Sequence, residues 1–125
     1  MANFKSVNRH AGISISNYSI ILQGDRRFPL RISLGLPLLC SAEVQQSFSI
    51  VMCSVEVWPL CNAIMNGGFG ETIEEALYQG ARSVQEILAK YVADGAIVCD
   101  ESGFAIDSQS EDFLDTLIKQ QDSLP

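Results

Sequence analysis

The chain has one histidine, one tryptophan and eight basic residues among 125, and none of its apolar runs approaches the about 18 residues that cross a bilayer. Each shortage removes a class of function. His10 stands alone in a polar opening segment, so a Cys–His or Ser–His pair would have to use it, with no orienting third group nearby. No two cysteines are spaced C-x-x-C, and clustered His, Cys and Asp ligands are absent from the sequence. Those patterns would mark zinc ribbons, thioredoxin-type redox sites or transition-metal centres, so no metal site and no cofactor are expected. Residues 1–10 lack the apolar centre of a secretory signal, and the expectation is a cytoplasmic protein with no membrane association. In that compartment Cys40, Cys53, Cys61 and Cys99 read as reduced thiols, three of them inside or beside apolar runs as small hydrophobes.

What is present is a core. Apolar residues make up 47% of the chain, enough for a single domain that buries about two thirds of its unfolded surface. The net charge is −7 and unevenly spread: residues 1–31 hold five of the eight Lys and Arg, and 94–125 hold eight carboxylates against Lys119. Phosphate backbones attract proteins through Lys and Arg, so direct nucleic-acid binding is disfavoured. A basic partner protein, or a self-complementary assembly joining the basic and acidic ends, suits this distribution. So does plain solubility.

Periodicity supplies the elements. Residues 1–15 carry no clear period and read as a loosely ordered lead-in; a first strand starts at Tyr18, with Ile20 and Leu22 on the same face. Gly24 and Asp25 then turn the chain. Phe28, Leu30, Ile32, Leu34 and Leu36 alternate with Pro29, Arg31, Ser33 and Gly35, the pattern of a half-buried strand. Pro29 cannot donate to a ladder and belongs at an edge or a strand start. After Pro37 a third strand is expected from near Ser47 to Trp58, with a change of phase that implies a bulge or burial on both faces. Residues 60–70, containing Gly67, Gly68 and Gly70, read as a loop.

Thr72 and Glu75 then form a capping box, the Thr72 oxygen accepting from the Glu75 N–H and the Glu75 carboxylate reaching back to the Thr72 N–H. The helix this starts runs over 73–92. Ile73, Leu77, Gly80, Ala81, Val84, Leu88 and Tyr91 form its apolar stripe, widened by Ala76, Ile87 and Val92. Gly80 costs about 1 kcal/mol against alanine, which points to close packing on a sheet. Gly95 ends the helix. A hairpin over 96–106 follows, then a short acidic helix and tail over 108–125 signalled by Ser108 and Glu111, with Phe113, Leu114, Leu117 and Ile118 on one face. Too short to stand alone, that helix docks on the sheet or on another subunit. The expected fold is α+β: an antiparallel three- to five-stranded sheet, one long helix on a face and a short C-terminal helix, in the order β-β-β-α-β-β-α.

Chemistry-bearing groups are sparse. Asp100, Glu101 and Asp107 lack the alternation of a calcium loop and read as a solvated hairpin tip. Gly67, Gly68 and Gly70 precede a helix start already occupied by Glu71, Glu74 and Glu75, which would repel a phosphate, so these glycines serve the turn. Arg26, Arg27 and Arg31 are the candidate polar cluster, either a solvated face or a surface for a partner's carboxylates. Phe113 and Leu117 are the candidate apolar contacts for a partner.

The run Gly70-Glu71-Thr72-Ile73-Glu74-Glu75-Ala76-Leu77, with the amphipathic helix behind it, resembles the helix start of HicB-type antitoxins, G-[DE]-T-x-x-E-A. The resemblance implies a partial ribonuclease-H-like fold and a dimeric, non-catalytic module that recognises and masks another protein. No helix-turn-helix or ribbon segment follows, so operator binding is not carried over. The reading is a homodimeric, protein-binding, antitoxin-like module. Its alternatives are an acidic inhibitor that imitates nucleic acid, a small-ligand-binding domain, and a thiol-dependent enzyme using Cys40 or Cys61.

Overall fold

A computed structural model describes residues 12–24, 26–36 and 51–122. Expectations placed on His10, Asp25, Pro37, Cys40 and residues 47–50 lie outside the described residues. The elements are β1 (Gly12–Leu22), β2 (Arg26–Leu36), β3 (Val51–Trp58), β4 (Cys61–Gly70), α1 (Ile73–Ala93), β5 (Ile97–Cys99), β6 (Ala105–Ile106) and α2 (Glu111–Asp122). The strands form a six-stranded sheet in the order β4-β3-β2-β1-β5-β6, antiparallel at every pairing, so the fold is α+β.

β1 and β2 form a hairpin paired along their whole length, from Leu22 opposite Arg26 to Gly12 opposite Leu36, with Gly24 at φ 85 in the connecting turn. The alternation in β2 is obeyed from Leu30 onward: Leu30, Ile32, Leu34 and Leu36 are buried and Arg31 is exposed. β3 meets β2 only from Arg31 to Gly35, so Pro29 lies where that side of β2 has no neighbour among the described strands. In β3, Val51, Cys53, Val55 and Val57 point to the same covered face. The expected change of phase turns on Phe48 and Ile50 and lies outside the described residues; within β3 and β4 the register shifts place the extra residues on the partner strand.

Two readings are corrected. Strand β1 begins at Gly12 rather than Tyr18, so residues 12–15 belong to the sheet and not to a lead-in. Residues 61–70 are strand β4 rather than a loop. Cys53 pairs with Gly68 and Ser54 with Asn66, which leaves Gly67 unmatched as a bulge, and a second shift falls between Val55 and Val57. Bulges destroy the two-residue period by which a strand is recognised.

α1 starts at the Thr72 cap, whose Oγ1 accepts from the Glu75 N–H at 3.2 Å. The Glu75 carboxylate accepts from the Glu71 N–H at 2.9 Å, one residue earlier than a capping box requires. Gly70 is obligatory here, because a Cβ would lie 2.8 Å from the Ala76 nitrogen as the strand folds into the helix. The far end closes as a Schellman motif: Gly95, at φ 97, donates to the Val92 carbonyl and Ala96 to that of Tyr91, each at 3.0 Å. Ala76, Leu77, Gly80, Ala81, Val84 and Leu88 are buried as the stripe requires, whereas Val92 is exposed.

α2 begins at Ser110, not Ser108: the Ser110 Oγ accepts from the Phe113 N–H at 3.1 Å. Ser108 is buried, and its carbonyl and that of Ser110 both accept from the Gln85 side-chain amide, at 3.0 and 2.9 Å. α2 docks on β1 and α1 of the same chain. Phe113 is 5% exposed and Leu117 1%, and the Phe113 ring meets Tyr18 edge-on at 5.6 Å. Their burial in the core overturns the expectation that these two residues contact a partner.

Both helices lie on one face of the sheet. At Gly80 the approach is so close that a Cβ would sit 2.6 Å from the Cys53 sulfur and 3.2 Å from its Cβ. Gly80→Ala should therefore destabilise the fold by about 1–2 kcal/mol, overpacking outweighing the gain of alanine in a helix. In a Cys53→Ala background the same change should cost less. Urea unfolding midpoints of the four proteins check this, and equal costs in both backgrounds contradict the contact.

Candidate functional site

With both helices on one side, the other side of the sheet is built by the opposite parity of the strands. Three cross-strand rows define it: Ile13, Gly35 and Ser54; Ile15, Ser33 and Glu56; Asn17, Arg31 and Trp58. The polarity of β1 is inverted there. Ile13 and Ile15 are 60% and 58% exposed, while Ser14 and Ser16 are 5% exposed on the helix side. Register forces this, because Tyr18, Ile20 and Leu22 set the inward parity of the same unbroken strand. The buried serines are satisfied: Ser14 donates to the Leu34 carbonyl at 3.4 Å and Ser16 to the side chain of Gln120. Each of these isoleucines, more than half exposed, forgoes about 1–2 kcal/mol of burial.

Around the isoleucines, Gly35 leaves the floor low. A shallow depression of about 270 Å³ is lined by Ile13, Ile15, Arg31, Ser33, Ser54 and Glu56. The Arg31 guanidinium stacks over Trp58, 5.3 Å from the ring centroid, which keeps the arginine extended along the face. Ser54 donates to the Gly35 carbonyl at 3.1 Å. Glu56, half-buried, meets no cation among the described residues.

The expected arginine cluster is divided. Arg31 and Arg27 share the uncovered face but stand four residues apart on β2, roughly 13 Å along an extended strand. Arg27 donates to the Ser19 hydroxyl at 3.0 Å and lines a second hollow, about 470 Å³, with Asp100 and Glu101 opposite. Arg26 falls on the other parity, opposite Leu22 at the turn. Its neighbours in sequence therefore do not share a single binding surface with it.

The acidic groups are mostly structural at the hairpin and free on α2. The Asp100 carboxylate accepts from the Ser102 and Phe104 amides at 2.9 and 3.0 Å, holding the hairpin turn. Asp107 accepts likewise from Gln109 at 3.0 Å. Glu111, Asp112 and Asp115 are exposed on α2. Among the described residues, no group of three or more His, Cys, Asp and Glu is placed to hold a metal ion. Burial, reinforced by Glu101 and Asp100, raises the Tyr18 hydroxyl above its ordinary value against a hydrogen bond with Gln120.

Cys53 and Cys99 are free and buried. Cys61 belongs to β4 in its backbone, and its side chain lies outside the described residues. Gly67, Gly68 and Gly70 are strand residues, and only Gly70 stands at the turn into α1. Sequence reasoning missed Ile13, Ile15, Glu56 and Trp58. The Ile-Ser-Ile-Ser alternation was a signal, but it does not say which parity faces the helices. No family model, curated protein or solved structure matches the chain.

Burial beneath α1 pushes the Cys53 thiol from its ordinary value of 9.0 up to about 11. A raised thiol favours the folded state below the unfolded value, and that contribution is lost as pH rises through the folded one. The stability difference between wild type and Cys53→Ala should therefore shrink by roughly 2–3 kcal/mol between pH 9 and pH 11. Paired denaturant titrations at several pH values measure it, and a constant difference rules out the buried thiol as the cause.

Proposed function

We propose that the chain is a cytoplasmic, non-catalytic protein-binding module that works as a homodimer and masks a partner protein in the manner of HicB-type antitoxins, without a cofactor. The observation that supports the homodimeric part most is the sheet face left open among the described residues, where Ile13, Ile15 and Trp58 are exposed beside Arg31. Exposed apolar patches of this kind mark contact surfaces, and tryptophan and arginine are the residue types on which protein interfaces depend most. The capped helix from Ile73 and the run from Gly70 to Leu77 support the likeness to antitoxins.

The charge of the masked partner follows from the opposite side. Glu111, Asp112 and Asp115 face solvent on α2 without a cation among the described residues, which suits a basic protein. The same carboxylates support a second reading, an acidic inhibitor that occupies a nucleic-acid-binding groove. Affinity capture from native lysate tests both. One basic protein should be retained in stoichiometric amount, lost when Glu111, Asp112 and Asp115 are replaced by lysine, and kept by Ile15→Asp. Displacement of that protein by duplex DNA selects the inhibitor. Retention of nucleic acid itself, or no capture sensitive to the lysine replacements, sinks the proposal.

A further inference from the structure

We infer that the uncovered face of the sheet is where two copies of this chain pack, sheet against sheet, with Arg31 of each meeting Glu56 of the other. This rests on the dimeric part of the function proposed above and gives it a surface. Three observations lead there. The face carries apolar side chains that nothing among the described residues covers, since β1 turns Ile13 and Ile15 outward and buries Ser14 and Ser16. Its centre carries one charge of each sign, Arg31 and Glu56, on a chain of net charge −7. A strongly acidic or strongly basic partner would leave one of them mismatched, whereas a second copy satisfies both.

The positions also obey the required symmetry. Arg31 and Glu56 lie on adjacent strands in adjacent rows, so they are diagonal neighbours. A two-fold axis between the sheets that exchanges them must run obliquely across the strands. On a grid of about 4.8 Å between strands and about 6.6 Å between rows, that axis carries Ile15 and Trp58 close to their own symmetry mates. The apolar residues then pack on each other while each charge meets its opposite. The strands of the two sheets cross steeply, as in the orthogonal class of sheet packing. The contact is isologous, so it closes at two copies.

Charge reversal tests this on exposed or half-buried side chains that make no core contact. Arg31→Glu places two carboxylates against each other at both pairs, and Glu56→Arg does the same with two cations. Each should weaken the dimer at least about tenfold. An equal mixture of the two variants should restore it as a heterodimer, and so should the double variant R31E/E56R. Sedimentation equilibrium gives the mass, and emission from Trp58, the sole tryptophan, reports exposure of the face on dilution. A monomer at every concentration overturns both the surface and the dimeric reading. A dimer indifferent to either reversal, or a mixture that fails to restore it, overturns the surface alone.

Discussion

The whole arrangement depends on how closely α1 lies on β3. A helix with an ordinary side chain at position 80 would collide with the Cys53 sulfur and have to ride higher over the sheet. Glycine removes the obstruction, and the thiol fills the space that remains. Leu77, Ala81, Val84 and Leu88 then reach Val55, Val57 and the inward leucines of β2 as one core. Because α1 takes the β3 side of the sheet, the β1 side is left for α2, and Gln85 ties the two helices together through carbonyls of the turn that precedes α2. One face is thereby fully used and the other has no helix over it among the described elements.

How far this was legible in the sequence varies with the kind of signal. The strand from Leu30 to Leu36, the cap at Thr72, the stop at Gly95 and the packing role of Gly80 all rest on local chemistry that the fold preserves. β4 was hidden because Asn66, Gly67 and Gly68 look like a loop, and the bulge at Gly67 removes the alternation that would have said otherwise. Ser108 and Ser110 both offer a cap three residues ahead of a helical position. The fold uses Ser110, whose Oγ accepts from the Phe113 N–H, and places Ser108 in the interior, a choice that local sequence does not show.

The surface was less legible than the core. Arg31 was placed correctly on an outward face, yet Arg26 and Arg27 were grouped with it by sequence proximity, which a strand's parity does not respect. Phe113 and Leu117 look exposed to a reader who sees only a short amphipathic helix, because nothing local says that β1 and α1 will cover it. Conversely Ile13 and Ile15 fall in a stretch that reads as a lead-in, with no sign of a surface role. Their outward position is a property of the register of an eleven-residue hairpin, set by residues farther along the strand.

That hairpin has a neighbour drawn from far along the chain. β1 lies between β2 and β5, with Ser19, Ile20 and Ile21 opposite Cys99, Val98 and Ile97. During synthesis the meander of four strands can assemble as it emerges, but the far edge of its first strand stays open until the helix and the segment after it have left the ribosome. The growing polypeptide thus carries an unzipped border through most of translation, and its protection on the nascent chain is a demand this topology makes of the cell.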